Sequence, residues 1–563
     1  MIRRHAVQIS LATSLLLVAG TAVSQDNSKC IDINAPATTS YDFTKALTRW
    51  GSENDYRLDA PSRIVHSLSV NTLPIFDESN PREDNLLFRW ANAIHFTTRQ
   101  QVISDQLLFK EGEPATVHLL AESERILRSR HYVGDAAIRV LRECGNSVDL
   151  EVVSREVWTL TPDLSFKSTG GDTSAGIGLR DSNILGSGQF LDIKYKQDPQ
   201  RSSWAMGYKN PNIGGTHAEF TSEIAQNSDG HHYLVDASQP FYSLNDKHSW
   251  RVLWESTSEV LNQYTYGTKV SGVQHDSSAV EFIYGSSNGI VDGSVNRFSA
   301  GARVSQQSWQ KGPDLPAPVG LRSSLDLNYP FLQYDYIEDK YVTAFNIGQI
   351  KRTEDLQLGK HVRSRIGYAG GAGGNVIFNG DFGDTLLYHP GRLLQLSASW
   401  DGRWNRETAR LEDTLLKASL DYQMELSQRR TLFLGLVANK VYNLNNGTQL
   451  ILGGSNGLRG YDSHFLNGTG NVQFTAEERY FTDYHWLQLA RVGFAMFYDA
   501  GRVFGNTDAG AQRLYQNVGF GLRLAPSRSE SGQIVHVDLA WPLNSNVPGG
   551  GGRQFVVEVK DTF

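Results

Sequence analysis

The C-terminal part of the sequence, residues 161–563, consists of segments in which apolar and polar residues alternate. Between Gln189 and Lys196, for example, Leu191, Ile193 and Tyr195 fall on one face of an extended strand and charged residues fall on the other. After the N-terminal region the sequence has no run of about 18 apolar residues, the length that a membrane-spanning helix needs. If the chain crosses a membrane, it must therefore do so with strands.

The N-terminus has the features of a secretory signal peptide. Arg3 and Arg4 precede the apolar run from Leu11 to Ala22, and small residues follow it up to Ser24. This order predicts a signal peptide over residues 1–24, with cleavage after Ser24. The formal net charge of −7 argues against a nucleic-acid partner, because duplex binding needs a clustered basic face. A secreted chain with about 400 alternating residues favours an outer-membrane barrel over a soluble sandwich.

The cysteine and histidine content indicates no metal or cofactor. The sequence has two cysteines, Cys30 and Cys144. An oxidising compartment allows them to pair, and the sequence leaves a disulfide and two free thiols equally open. Two cysteines without histidines at ligand spacing do not predict a zinc site. His231 and His232 follow Asp229 in a predicted loop, where an exposed turn is favoured over a metal site.

Between the signal peptide and the alternating region, the sequence predicts a polar tether and a small α+β domain. Residues 25–61 are polar and turn-rich, and a short amphipathic helix is expected from Tyr41 to Trp50. In residues 62–160 the spacing of apolar residues changes from a period of two, typical of a strand, to 3.6, typical of a helix, and then back to two. The predicted elements of this domain are a strand at Ser62 to Phe76, two helices within residues 85–130 separated by a turn at Lys110 to Glu113, and strands at Tyr132 to Leu141 and Val148 to Trp158.

The stretch from Ile451 to Phe481 carries the clearest candidate for a functional site. Its tetrad Leu458-Arg459-Gly460-Tyr461 places an arginine in a glycine-flanked turn, where the backbone can approach its neighbours closely. Counting with period two puts Glu477 and Arg479 on the lumen face of the next predicted strand, and Asp499 on the lumen face of the strand after it. A loop folded into the lumen would place Arg459 against Asp499 or Glu477 as a bidentate pair.

Three motifs in this region resemble those of a known family. The tetrad, Glu477-Glu478-Arg479 and Phe497-Tyr498-Asp499-Ala500-Gly501 are similar to motifs of the bacterial surface antigen family, the BamA/TamA-type outer-membrane barrels that insert or translocate proteins. Asp181 to Gly188 resembles the turn that opens the barrel in that family. The resemblance implies a membrane all-β barrel of 16 antiparallel strands over residues 161–563. It also implies a lumen latch made of Arg459, Gly460, Tyr461, Glu477, Arg479 and Asp499, with Phe497 and Gly501 in the strand motif.

Within that latch the resemblance favours Asp499 as the partner of Arg459, with Glu477 as the second choice. Glu478 falls on the outward face of its strand, which predicts that the strand ends or bulges near the membrane boundary.

The order of elements in residues 62–160, together with the turn from Phe109 to Gly112, resembles a polypeptide-transport-associated (POTRA) domain. The resemblance implies a periplasmic module whose sheet edge pairs with an extended client chain through main-chain hydrogen bonds. The alternative, equally open from the residues, is an α+β spacer. The first predicted helix carries an apolar stripe of Leu87, Trp90 and Ile94 at helical spacing.

The C-terminal segment also has a family resemblance. Gln554 to Phe563 resembles the C-terminal recognition strand of outer-membrane barrels, with Phe555, Val557 and Val559 on one face and Phe563 at the end. Asp561 interrupts that face, which indicates a solvated end of the strand.

These features predict a protein of the Gram-negative outer membrane, with its α+β domain in the periplasm, that inserts or translocates client polypeptides. The expected partners are outer-membrane lipids, an extended client and periplasmic or lipoprotein partners. No enzymatic activity is expected: Ser455 lies in a GxSxG sequence, but no helical pattern follows it. The alternatives are a passive channel or porin, a structural surface antigen, and a two-partner secretion transporter. The last is disfavoured because such transporters normally carry two periplasmic domains of this kind.

Overall fold

The computed structural model describes residues 30–37, 41, 43, 47–48, 51–52, 62–371, 373–444, 448–506, 510–529, 532–544, 552–560 and 563. These residues form an α+β domain followed by a closed antiparallel β-barrel. The predicted signal peptide lies outside them, as does most of the predicted helix at residues 41–50. Within that span, Leu47–Thr48 pairs instead with Gly51–Ser52 as two short strands. None of the helices in the described part of the chain is long and apolar enough to cross a bilayer.

The α+β domain is a mixed sheet with helices packed on it. Its elements are β1 (Ile31–Asp32), β2 (Leu47–Thr48), β3 (Gly51–Ser52), β4 (Arg63–Leu73), α1 (Leu86–Ile94), α2 (Gln100–Ser104), β5 (Pro114–Ala115), α3 (Val117–Arg128), β6 (Val133–Cys144) and β7 (Ser147–Glu156). The sheet order is β1-β6-β7-β4-β5, with β4 parallel to β7 and the other neighbours antiparallel. The main strands and helices follow the order expected from the sequence, with a short extra helix, α2, and the two-residue strand β5.

The helices of this domain begin at polar caps. The Asn85 side chain accepts a hydrogen bond from the Phe88 N–H at the start of α1, and the Thr116 hydroxyl accepts one from the Leu119 N–H at the start of α3. Such caps satisfy backbone donors that have no partner within the helix. α3 then buries Leu127 and other apolar side chains against β6 and β7, which forms the core of the domain.

The apolar stripe of α1 does not face this core. Leu87, Trp90 and Ile94 are 63%, 58% and 45% exposed. Phe88 holds the helix to the domain instead, stacked on Phe76 with 4.0 Å between ring centroids. α1 packs against the segment that follows β4, where Phe88 and Ala91 meet Ile75 and Phe76. The most apolar side of α1 is therefore on the surface.

A disulfide joins the N-terminal segment to the domain. Cys30 is bonded to Cys144 at the end of β6, so the pairing that the sequence left open is present. β1 continues from this bond as an antiparallel partner of β6, with Ile31 opposite Glu143. The segment is therefore fixed along the edge of the sheet by one covalent bond and by main-chain pairing.

The barrel is formed by long strands and carries two short hairpins in its loops. The strands are β8 (Leu160–Thr169), β9 (Asp172–Asp181), β10 (Phe190–Gln197), β11 (Ser202–Asn210), β12 (Glu219–Asn227), β13 (Gly230–Gln239), β14 (His248–Thr265), β15 (Thr268–Val291), β16 (Ser294–Lys311), β17 (Ser324–Glu338), β18 (Tyr341–Ala344), β19 (Glu354–Gln357), β20 (Gly359–Ala369), β21 (Asn375–His389), β22 (Arg392–Asn405), β23 (Arg410–Ser427), β24 (Arg430–Tyr442), β25 (Leu450–Leu452), β26 (Leu466–Gly468), β27 (Gly470–Trp486), β28 (Ala490–Phe504), β29 (Tyr515–Pro526), β30 (Ile534–Pro542) and β31 (Gln554–Lys560). β18 pairs with β19 and β25 with β26, outside the barrel wall.

The described residues form a wall of 20 strands, so the expected count of 16 is wrong. Many connections are short: Gly170 and Gly171 alone join β8 to β9, and both adopt a positive φ that suits glycine. Short connections leave room for more strands in the same length of chain. The turn from Asp181 to Gly188 joins β9 to β10 and does not open the barrel, because Leu160–Thr169 and Asp172–Asp181 already form a hairpin before it.

The outer surface of the barrel is apolar and its interior is polar. The exposed side chains on the outer faces include Leu164, Phe166, Ile177, Leu179, Ile193, Trp204, Met206, Val280, Phe282, Phe494, Met496 and Phe520. The predicted outward position of Glu478 is explained by an ion pair on this surface, where Arg430 donates to it at 2.7 Å. The strand continues past Glu478, and its register shifts after Phe481.

The α+β domain lies across one end of the barrel. Its contacts with the strand connections at that end include a hydrogen bond from Trp158 N to Arg528 O (2.6 Å), one from Arg99 N to Gly186 O (3.0 Å), one from Leu244 N to Glu122 Oε1 (2.8 Å), and a bidentate pair between Arg128 and Asp355 (2.6 and 2.7 Å). The domain is thus attached at several points around the rim.

The connection between β17 and β20, residues 339–358, is folded inward at this end, and we call it the base loop. Glu354 orders it by accepting hydrogen bonds from Ile347 N and Gly348 N, both at 2.8 Å. On the domain side, the Thr353 hydroxyl donates to Asp135 at 2.7 Å. The base loop therefore connects the barrel interior to the α+β domain.

Removal of the disulfide tests the attachment of the N-terminal segment. In Cys30→Ser we expect a loss of about 2–4 kcal/mol in domain stability, because the bond closes a loop with a sequence separation of 114 residues. Thermal unfolding and limited proteolysis of the purified protein measure this. Cys144→Ser is the matched variant and should behave alike, whereas an unchanged midpoint and cleavage pattern in both variants would contradict the expectation.

Glu354 predicts a pH dependence of the base loop. Burial raises the pKa of this carboxyl from 4.5 to about 7, against the opposing effect of the Ile347 and Gly348 N–H groups. The folded protein therefore binds the proton more tightly than the unfolded chain, and stability falls as pH rises from about 4.5 to about 7. We expect a fall of order 2 kcal/mol in the wild type, allowing for partial solvent exposure, and a smaller one in Glu354→Gln. Denaturation midpoints between pH 4.5 and 8 measure it, and identical slopes would argue against this assignment.

Candidate functional site

The loop between β24 and β27 enters the barrel and is held there by its aromatic and apolar residues. Leu458, Tyr461 and Phe465 are fully buried in one cluster. The Tyr461 hydroxyl also donates to the carbonyl oxygen of Gln516 at 2.8 Å. Gly460 is needed for close approach, because a Cβ at this position would lie 2.6 Å from the Cβ of Asn517. The tetrad therefore has a fixed position against β29 and its neighbours.

Arg459 forms ion pairs with two strands at once. Its Nε and Nη2 donate to the two oxygens of Asp499 at 2.9 and 2.8 Å, and its Nη1 donates to Glu477 at 2.9 Å. The guanidinium also lies over the ring of Phe497, 3.3 Å from the centroid, in cation–π geometry. The contact with Asp499 that the sequence predicted is present, and Glu477, ranked second, is used together with it.

Further charged residues surround this pair. Arg479 donates to Glu477 at 3.0 Å, and Arg523 pairs with Asp538. Asp538 lies 3.7 Å from Arg459, and Arg523 lies 3.6 Å from Glu477. In the described part of the chain, the cluster consists of three arginines and three carboxylates: Arg459, Arg479, Arg523, Glu477, Asp499 and Asp538. We call it the latch cluster.

Sequence reasoning missed Arg523 and Asp538. Both lie at inward positions of their strands, β29 and β30. The alternation of inward and outward residues along these strands was the sequence signal that could have identified them. What the sequence does not show is the barrel register that brings β29 and β30 beside β27 and β28, so neither residue could be joined to Arg459 in advance.

The latch cluster is balanced in charge and closed to water. Its members are all 9% exposed or less. Asp499 is further satisfied by the Asn517 amide at 2.9 Å and the Thr475 hydroxyl at 3.1 Å. Burying ions costs desolvation energy, so the net stability that such a cluster contributes is small, whereas removing one partner strands the others at a cost of about 3–5 kcal/mol. The cluster therefore defines the position of the loop more than it stabilises the barrel.

The loop between β24 and β27, residues 443–469, which we call the lumen loop, also bridges the junction between β31 and β8 where the barrel closes. Ser463 N donates to Gly170 O and Ser463 Oγ donates to Thr169 O, both at 2.8 Å, on the β8 side. On the β31 side, Gln554 Nε2 donates to Asp462 at 2.9 Å. Within the described residues, the strand pairing of β31 with β8 is limited to a single position, Val557 opposite Ser168, and Glu558 of β31 also contacts the side chains of Lys167 (2.9 Å) and Thr169 (3.2 Å). Residues three and four positions after Arg459 thus join the two sides of this seam.

The base loop connects to the latch cluster from the other end of the barrel. Arg479 Nη1 donates to Ile347 O at 3.3 Å. Phe563 N donates to Gly348 O at 2.7 Å. The contacts run from the cluster to the base loop and from there, through Asp355, to Arg128 of the α+β domain.

The C-terminal residues only partly follow the expected outward face. Phe555 and Val559 are exposed, and Val557 lies at the seam. Phe563 instead turns inward and is buried, 4.7 Å from the ring of Phe481. The reason is that β31 ends at Lys560, beyond which the alternation of the strand no longer sets the direction of side chains.

The remaining sequence candidates lie outside the latch cluster. Gly501 packs closely against the lumen loop, since a Cβ there would lie 3.0 Å from a Leu452 methyl carbon. Ser455 is exposed, and no helix follows it. His231 and His232 lie in strand β13, not in a loop, because β12 and β13 turn before them at residues 228–229. Within the described ranges, no group of three or more potential ligands is arranged to hold a metal ion.

Comparisons with known proteins give distant likenesses. No protein-family model and no curated protein matches the chain. Among solved structures, the chain is similar to BamA from Haemophilus ducreyi lacking POTRA domains 1-3 (10% identity, 88% of this chain and 84% of that chain, TM-score 0.37). It is also similar to CdiB from Acinetobacter baumannii (13%, 93% and 94%, TM-score 0.40) and to the FrpB iron transporter from Neisseria meningitidis (8%, 76% and 87%, TM-score 0.40). At these identities and TM-scores, the likenesses carry no argument about family or function.

Proposed function

We propose that the chain is an outer-membrane barrel that inserts client polypeptides into the membrane or translocates them across it. The observation that carries this proposal is the seam. β30 and β31 pair along the whole of β31, from Gln554 to Lys560, whereas among the described residues the strand pairing of β31 with β8 is limited to Val557 and Ser168, beside side-chain contacts to Glu558. A wall with one weakly paired junction opens there at the lowest cost, and its free main-chain groups can pair with an incoming strand.

The latch cluster controls this seam through the lumen loop. Arg459 sets the position of the loop, and Asp462 and Ser463 then bridge β31 and the β8–β9 turn. If the guanidinium leaves its carboxylates, the bridge loses its anchor. The latch cluster and the seam are therefore coupled through the lumen loop.

The α+β domain acts as a POTRA-like receiver of the client on the periplasmic side. β7 is the central strand and is paired on both sides, so a client must use an edge. The edge strand β4 is paired with β5 at Arg63 and Ile64. Beyond Ile64, some main-chain groups of β4 form hydrogen bonds with side chains; for example, the Gln100 amide donates to Val70 O at 3.2 Å. A client strand could displace such contacts.

The outer surface of the barrel supports membrane placement. Its apolar side chains, such as Leu164 at 71% and Met496 at 62% exposure, would be costly in water and are suited to lipid. Lipids are therefore the first partner. Periplasmic or lipoprotein partners would bind on the side that carries the α+β domain.

A passive channel is the second candidate, favoured by a cavity of about 780 Å³ in the lumen. Arg251, Arg303, Glu281 and Asp335 are among its lining residues, so its wall suits small charged solutes. Solute-selective conductance, together with unchanged assembly of other outer-membrane proteins after depletion of this chain, would favour a channel.

Replacement of Arg459 tests the latch. In Arg459→Ala we expect client assembly to fall severalfold while the amount of folded barrel stays near wild type. The reason is that the loop loses its ion pairs with Asp499 and Glu477, whereas the main-chain hydrogen bonds between the strands of the wall are unchanged. Quantitative mass spectrometry of outer-membrane fractions from cells that depend on the variant measures assembly, and heat-modifiable gel mobility measures folding. Arg430→Ala removes an exposed arginine paired with Glu478 and is the matched control, expected to have no effect. Unchanged assembly in Arg459→Ala would reject the latch role.

Covalent closure of the seam tests the proposed opening. We expect Ser168→Cys with Val557→Cys to form a disulfide that stops client assembly, since these residues face each other across the seam. Ser203→Cys with Asn227→Cys joins β11 to β12, which already pair along their length, and should leave assembly unchanged. The four single-cysteine variants control for side effects of the new thiols. Full assembly with the seam cross-linked would contradict opening at this junction.

A further inference from the structure

Helix α1 carries a large apolar surface that no described residue of the domain covers. The exposed fractions are 80% for Leu86, 63% for Leu87, 58% for Trp90, 45% for Ile94 and 58% for Phe96, just after the helix. Exposed apolar patches of this kind mark interaction sites, whereas single exposed apolar residues need no explanation.

The exposed apolar face of α1 is separate from the face by which the helix packs on the domain. Phe88 and Ala91 are the buried side chains of α1, and they pack against the segment with Ile75 and Phe76. At about 100° per residue, Leu86, Leu87, Trp90 and Ile94 share one sector of roughly 100° beside the buried side. The domain does not need this sector for its own core, so the sector is free to contact something else.

α1 is fixed next to the barrel rim beside the seam. The following residues attach to two strand connections: Arg99 N donates to Gly186 O in the β9–β10 turn, and Trp158, which packs near α1, donates its N–H to Arg528 O in the β29–β30 turn. Close approach at the first of these points is shown by Gly186, where a Cβ would lie 2.3 Å from Thr97 O. These two turns lie on either side of the β31–β8 junction.

The C-terminal end of α1 lies close to the start of the apolar barrel wall: the His95 ring centroid is 6.2 Å from that of Trp158, whose indole N–H donates to Leu160 O. Leu160 and Leu164 of β8 are 47% and 71% exposed, and Leu185 in the β9–β10 turn is 57% exposed. Two arginines next to this region, Arg89 and Arg99, are exposed as well. An apolar surface with a tryptophan and nearby cations has the composition of a segment that lies at a lipid–water boundary.

We propose that α1 docks on the surface of the lipid bilayer around the barrel, with Leu86, Leu87, Trp90 and Ile94 in the acyl–headgroup boundary of the periplasmic leaflet. The inference rests on the membrane placement proposed above. A lipid surface is favoured over a client chain or a second copy because α1 ends beside the first strand of the apolar barrel wall, next to Trp158 and Leu160. α1 thereby anchors the α+β domain to the membrane beside the seam, where a client would enter.

Collision accessibility of spin labels tests this docking in the full chain reconstituted in lipid nanodiscs. The labels are placed singly at Leu87→Cys and Trp90→Cys. The two native cysteines form a disulfide, so an introduced cysteine is the reactive thiol. We expect accessibility to a water-soluble nickel complex to be severalfold lower at these sites than at Lys110→Cys, and accessibility to oxygen to be higher. Lys110 is an exposed polar residue in the turn next to Gly112, whose N–H donates to Val65 O near the start of β4, and it serves as the water-exposed reference.

A third label, Leu164→Cys on the outer face of β8, separates failure of the inference from failure of the membrane proposal. Lipid accessibility at Leu164 with water accessibility at both α1 sites would overturn the docking of α1 and leave the barrel placement intact. Water accessibility at Leu164 would overturn the membrane placement itself. If the α1 labels are accessible to water in nanodiscs and become shielded only when an unfolded barrel polypeptide is added, the face binds client chains, and the lipid proposal is wrong.

Discussion

Buried charge in the barrel interior is the constraint on which the rest of this structure depends. An arginine removed from water needs carboxylates in the correct geometry, and carboxylates left without it are unstable there. Arg459 meets this need with Asp499 and Glu477, and Arg479 and Arg523 complete the balance. The six charges are matched in this position of the loop, and any shift of Arg459 would leave Asp499 and Glu477 without its guanidinium.

The position of the lumen loop has consequences at both ends of the barrel. At one end, Asp462 and Ser463 bridge the two sides of the seam. Toward the other end, Arg479 contacts the base loop, which is bound in turn by Arg128 of the α+β domain. Contacts therefore run from the seam, through the lumen loop and the latch cluster, to the α+β domain, which is the structural condition for coupling between these parts.

Period-two reasoning located the inward faces of the strands well, because the direction of a side chain in a strand is a local property. It placed Glu477 and Asp499 on the lumen side, which is where they meet Arg459. It did not find Asp538, whose distance from Arg459 depends on strand pairing over the last third of the barrel.

The sequence by itself determined the order of the main strands and helices of the α+β domain, which side of the barrel strands is apolar, and that Arg459 needs an acid. These are consequences of side-chain chemistry over a few residues. Only the tertiary structure decided that the barrel closes with 20 strands, that its seam is paired at one described position, and that Leu87, Trp90 and Ile94 of α1 are exposed. Each of these depends on register, closure or docking between distant parts of the chain, which local patterns do not specify.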